Sequence, residues 1–185
     1  MRISKTMLEQ GWAWSTGLGL IAFLAVAGMD VWLKSLTGVS TSDLQGLGTA
    51  MQYRLAFHAW APEPYAVRAG FNLVLDYLLM PLYAASFFFS GVIAAESFTP
   101  GKSPFRRYVL MAAMVAPVAA LLDAVENALE LKMLLGGPTD DLARVAFAVS
   151  NAKTVALTIG MVLLIAAVVA KVGMRKARAR PKVEP

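Results

Sequence analysis

The chain has 185 residues, 58% hydrophobic and only 16% charged, with a mean hydropathy of +0.60 and a net charge of +5. This composition lies outside the soluble range, and the apolar residues gather into runs near the ~20 residues that cross a bilayer. With no cysteine and a single histidine, His58, the chain has no disulfide, no thiol chemistry, no Cys-ligated metal or iron–sulfur site, and no multi-histidine metal site within one copy.

Four spans are expected, at roughly 12–36, 71–97, 107–134 and 142–171, followed by a basic tail over 172–185. Short connections make residues 1–185 a single transmembrane domain, an all-α integral membrane four-helix bundle. The basic residues set the expected orientation. Arg2 and Lys5 precede the first span; Lys102, Arg106 and Arg107 separate the second from the third; the tail carries Lys171, Arg175, Lys176, Arg178, Arg180 and Lys182. The turn between the third and fourth spans is acidic, with Asp140 and Asp141 against Arg144. Both termini are therefore expected on the cytoplasmic side of a plasma (inner) membrane. The tail reads as a topology determinant attracted to anionic headgroups, at about 1 kcal/mol per charge, rather than as a nucleic-acid site. Ala25-Val26-Ala27 has the look of a signal-peptidase site, but the apolar run continues through Val31, Trp32 and Leu33, so a retained anchor is expected.

The first span has Trp12 and Trp14 at one end and Trp32 at the other, as interfacial anchors. Gly17, Gly19 and Gly28 would permit close helix packing, and Asp30 lies near the outer end. In the long loop that follows, Ser42 and Gln45 are spaced as a capping box. Leu44, Leu47, Met51, Leu55 and His58 then recur at helical spacing, which predicts a short amphipathic interfacial helix between the first two spans. Pro62 and Pro64 end it. Such a segment serves either as a lid over a pocket or as a plain interfacial helix.

The second span contains Pro81, a source of kinking, and a stripe of Asn72, Asp76, Tyr83 and Ser90 on one face. Gly101 and Ser103-Pro104 make the inner turn. The third span holds Pro117 and stops at Gly136-Gly137-Pro138. Within it Asp123, Glu126, Asn127 and Glu130 stand at i, i+3, i+4 and i+7, on one helical face. Each charge in lipid would cost at least ~2.5–3.5 kcal/mol, so this face must turn toward the bundle interior or a water-filled cavity.

An antiparallel hairpin centred on Pro138 puts Asp123 level with Lys153 and Glu126 level with Ser150, roughly 16 Å below the outer end. Asp30 and Asp76 lie nearer the outer surface, about 8–9 Å down. The polar groups thus form an acidic funnel above an almost purely apolar inner half. Asp123 with Lys153 is the expected ion pair. Asn151 and Lys153 point in different directions on the fourth span; with Asn151 and Thr158 toward the core, Lys153 reaches it from the flank.

The candidate ligand-binding set is Asp30, Asp76, Tyr83, Asp123, Glu126, Asn127, Glu130, Asn151 and Lys153. A purely structural network, fixing helix register, is the competing reading. Carboxylates in the set outnumber their one base, Lys153, which a structural network would balance. Three functions follow. In the first, the pocket binds or transports a small amphiphilic or cationic ligand, with Tyr77, Met80, Tyr83 and Phe87 as walls; a continuous conduit would require a homodimer. In the second, Asp123, Glu126 and Lys153 are catalytic toward a lipid or isoprenoid-like substrate, with a divalent cation as the one cofactor that oxygen ligands would suit. In the third, the stripe is an interface to a membrane partner of which this chain is an accessory subunit. The sequence carries no nucleotide loop, no HExxH and no GxSxG elbow, and nothing that would hold haem. The expected partners are the lipid bilayer and a small or lipid-like molecule, not nucleic acid.

Overall fold

The computed structural model describes residues 5–62, 64–96 and 104–179. Arg2, Gly101, Lys102, Ser103, Arg180 and Lys182 lie outside them. The described residues form helices α1 (Lys5–Thr37), α2 (Ala50–Ala59), α3 (Tyr65–Ala95), α4 (Pro104–Ala113), α5 (Val115–Gly136) and α6 (Asp140–Ala179), with a 3₁₀ turn at Ser42–Gly46. Four stretches are long and apolar enough to cross a membrane: Thr6–Thr37, Tyr65–Ala95, Arg106–Gly136 and Asp140–Ala166.

The third of these is not the continuous helix its hydropathy suggests. It breaks at Met114, whose N–H turns back to the Met111 carbonyl at 3.1 Å. Pro117 explains the position, because a proline ring collides with the carbonyl four residues earlier, here that of Ala113, and has no N–H to offer it. Pro81 sits inside α3 without interrupting it. Two helix ends require glycine: Gly38 (φ 80°) donates to the Lys34 carbonyl at 2.8 Å, and Gly137 (φ 88°) donates to the Met133 carbonyl at 2.9 Å. The second of these, with Pro138 after it, reverses the chain into α6.

α3 is the hub of the bundle. α1 packs almost wholly on α3, while α5 and α6 pack on α3 and on each other. The glycines that permit close approach are not Gly17 and Gly28, where an added Cβ would meet nothing within 4 Å. They are Gly91, where a Cβ would run into Ala113, and Gly160, where it would run into the Phe87 ring. The resulting molecule is apolar outside and polar inside. Ile21, Val31, Leu78, Leu121 and Val155 are exposed, whereas Asn72, Asp123, Glu126, Asn127, Glu130 and Lys153 are buried. That inversion suits a lipid surround and would be untenable in water.

The end of the bundle that carries the α5–α6 turn is closed by the 3₁₀ turn and α2. Leu33, Leu44, Tyr53, Trp60, Met133 and Ala143 make one buried cluster there. The capping box predicted at Ser42 and Gln45 belongs instead to Thr49 and Gln52. The Thr49 hydroxyl accepts from the Gln52 N–H, and the Gln52 side chain accepts from the Thr49 N–H. The predicted apolar stripe also divides. Leu44 is buried, but Met51, Leu55 and His58 are exposed, and Tyr53 and Ala56 pack inward. Tyr53 donates to the Leu44 carbonyl at 3.2 Å; burial, and then the Glu130 and Glu126 charges, raise its phenol pKa so that it stays protonated. The Ala50 N–H donates to Asp140 at 2.8 Å and ties α2 to the start of α6.

At the opposite end, Leu8, Ile93 and Ala94 cluster with Trp12 and Phe89. The half expected to face inward is not purely apolar: Trp12 Nε1 donates to Ser90 at 2.8 Å, and the Thr16 and Ser86 hydroxyls meet at 2.7 Å. Both bonds fasten α1 to α3.

Candidate functional site

Between α1, α3, α5 and α6 lies a cavity of about 770 Å³. Its polar walls are built from four arrangements of differing completeness.

The first is a knot around Asp30. Its carboxylate accepts from the Thr41 N–H at 2.9 Å, the Ser42 N–H at 3.1 Å, both hydroxyls of those residues, and Asn72 Nδ2 at 3.0 Å. Asn72 Nδ2 also reaches the Thr41 hydroxyl at 2.9 Å. Asp30 therefore holds the 3₁₀ turn onto α1 and α3, and all of its bonding capacity is directed to the fold.

The second is centred on Lys153, which is 3% exposed. Its Nζ lies 3.0 Å from Asp123 Oδ1 and 2.5 Å from Glu126 Oε2. Tyr83 donates to the other oxygen of Asp123 at 2.9 Å. One ammonium so bridges two carboxylates on successive turns of α5, the geometry that makes a buried charge tolerable. Asp123 and Lys153 line the cavity; Glu126 stands behind Lys153 and does not.

The third joins α5 to α3. Asn127 Nδ2 donates to Asp76 at 3.0 Å and to the Leu73 carbonyl at 3.2 Å. That is the only hydrogen bond to Asp76 among the described residues.

The fourth is incomplete. Glu130 is 2% exposed and lines the cavity, yet it has no hydrogen bond among the described residues. Asn72 Oδ1, also in the wall, is likewise unpartnered. Both residues line the same cavity and each holds a buried acceptor without a donor, which costs about 1–3 kcal/mol, more when charged.

Asn151 is not part of the site. It is exposed on α6 and donates to the Phe147 carbonyl at 2.8 Å. Lys153 occupies the inward position on α6, not the flank. Ser90, at the far end of the α3 stripe, is bonded to Trp12 and lies outside the cavity. The unexpected contributors include Thr41, just before the 3₁₀ turn, and Ser42 and Gln45 within it, all of which line the cavity. The Ser40-Thr41-Ser42 run was the available signal, since a string of hydroxyls in a loop suits a nearby acid better than it suits a helix start. A cation between Asp123 and Glu126 would need the position the Lys153 ammonium holds, and no group of three acidic or histidine side chains among the described residues is placed to grip a metal ion.

No protein-family model, curated protein or solved structure matches the chain.

Proposed function

We propose that this multi-pass membrane protein binds, and in a transport cycle would carry, a small amphiphile whose head is cationic or rich in hydroxyl donors. The observation that carries the reading is that Glu130 and Asn72 line one cavity and each holds a buried acceptor oxygen with no donor among the described residues. Both are acceptors, so what completes them must donate. Asp76, which keeps a single hydrogen bond, adds a third acceptor on the same side. The one base in the wall, Lys153, is already shared between two carboxylates and has little to offer an anion. A phosphate or carboxylate head would meet repulsion. Tyr83 and Phe87, whose rings lie 5.9 Å apart, supply an aromatic wall suited to an organic cation.

The lining ends near Ser15 and Leu164, with the packed Leu8, Trp12 and Ile93 region beyond it, which favours a binding pocket over an open pore. On the predicted orientation the acidic part lies toward the outer face, beneath the 3₁₀ turn and α2. Native mass spectrometry of gently solubilised wild type and Glu130→Gln tests the proposal. A bound mass retained by the wild type and lost from the variant is the expected result; equal retention, or no bound mass in either, contradicts it.

A further inference from the structure

The lower part of the same cavity has a different character. Below Asp76 and Lys153 the lining passes to Leu20 and Phe23 on α1 and to Leu157, Met161 and Val162 on α6. By helical rise this stretch runs roughly 12–15 Å along the bundle axis. Its walls are also its opening. Leu20 and Phe23 are 57% and 54% exposed while lining the cavity, and Met161 and Val162 are exposed to a similar degree. The reason is topological: α1 and α6 both pack on α3 but form no comparable interface with each other.

From this, and resting on the head-group reading above, we infer that the gap between α1 and α6 is a lateral slot that seats the hydrocarbon chain of a membrane-borne long-chain amine, its ammonium at Glu130 and Asn72. The chain and the head call for opposite surroundings, and the cavity supplies them in order along one axis. A wholly soluble cation would need no slot, and a neutral hydrocarbon would need no Glu130. A phospholipid is disfavoured because no free base in the wall would meet its phosphate. Since the slot faces the region of the bilayer where chains already reside, the ligand moves sideways into the bundle and its chain never crosses water.

Long and short amines partition into a membrane to different extents, so the informative quantity is the ratio between variant and wild type for one amine. Leu20→Trp on α1 and Leu157→Trp on α6 each fill the slot from one wall, and Leu20 is exposed enough to be replaced without disturbing the fold. Binding of hexadecylamine and butylamine is to be measured by native mass spectrometry in lipid nanodiscs. Hexadecylamine should bind either tryptophan variant about tenfold more weakly than wild type, as a filled apolar pocket requires, with butylamine changed less than about twofold. Glu130→Gln should weaken both amines. If the tryptophan variants affect both amines equally or neither, the slot assignment is overturned while a Glu130-dependent head site stands. If wild type binds neither amine, the head-group reading and the slot fall together.

Discussion

Asp30 and Glu130 are both buried carboxylates, each about two helical turns from the same end of the bundle. One receives five donors and the other none. The contrast shows how this fold treats charge it needs for itself. Asp30 fixes the 3₁₀ turn, and two hydroxyls, two backbone N–H groups and an amide gather around it. Asp123 is held by Lys153 and Tyr83, and Glu126 is ion-paired with Lys153 although its Oε1 has no hydrogen-bond partner among the described residues. Glu130 shares their helix face and has no hydrogen bond among the described residues. On the function proposed above, the donor that Glu130 lacks within the fold comes from the head of the ligand.

The comparison can be broken most severely at Lys153. Lys153→Met removes the one base from between Asp123 and Glu126 and should destabilise the bundle by about 3–5 kcal/mol, the usual cost of stranding buried charge. Thermal unfolding in detergent would register this, and a loss below about 1 kcal/mol would mean that the carboxylates do not depend on the pair. Next comes Asp30→Asn. The amide turns an NH₂ toward groups that are themselves donors, so a loss of about 2–4 kcal/mol is expected, together with faster proteolysis of the loop between α1 and α2. Glu130→Gln sharpens the contrast from the other side. Stability should stay within about 1 kcal/mol of wild type or rise, because an isolated buried acid is replaced by its neutral isostere. A fall as large as that of Asp30→Asn would make Glu130 structural.

The smallest effect belongs to Asp43. Partial burial pushes its pKa up, but the Lys34 ammonium at 2.8 Å and the Ser40 N–H and hydroxyl outweigh this and hold the carboxyl below its ordinary value. A depressed carboxylate stabilises the fold at neutral pH, and that contribution is lost as pH falls through the folded-state pKa. The pair is well exposed, so Asp43→Asn should cost no more than about 0.5 kcal/mol at neutral pH. The difference from wild type should vanish in acid, a trend that melting curves taken across the pH range would follow.

Much of this arrangement was legible in the sequence because two periodicities are hard to disguise. Apolar runs of bilayer length located four spans, and the 3–4 spacing of Asp123, Glu126, Asn127 and Glu130 put them on one face. The Gly136-Gly137-Pro138 stop even set the depth at which Asp123 would find Lys153. What was not legible depended on rotation and on competition for donors. Asn151 and Lys153 are two residues apart, roughly 200° around a helix, so only one can face inward, and composition does not say which. The Ser42–Gln45 spacing satisfies the capping rule as well as Thr49–Gln52 does. It was overridden because Asp30, distant in sequence, captures the Ser42 hydroxyl. Glycine spacing misled in part: Gly19 does lie against Leu82 of α3, but Gly17 and Gly28 meet nothing, and Gly91 and Gly160 matter because Ala113 and Phe87 happen to lie opposite them. The break at Met114 was foreshadowed by Pro117, though its offset follows from where the proline ring points.

The most direct test of the central claim is an experimental structure of the wild type in lipid nanodiscs, at a resolution that shows side chains and bound lipid. The account predicts elongated density in the cavity, with its head within hydrogen-bonding distance of Glu130 and Asn72 and its tail between α1 and α6. A cavity closed by α1 moving onto α6, or a Glu130 carboxylate satisfied entirely by protein side chains, would contradict it.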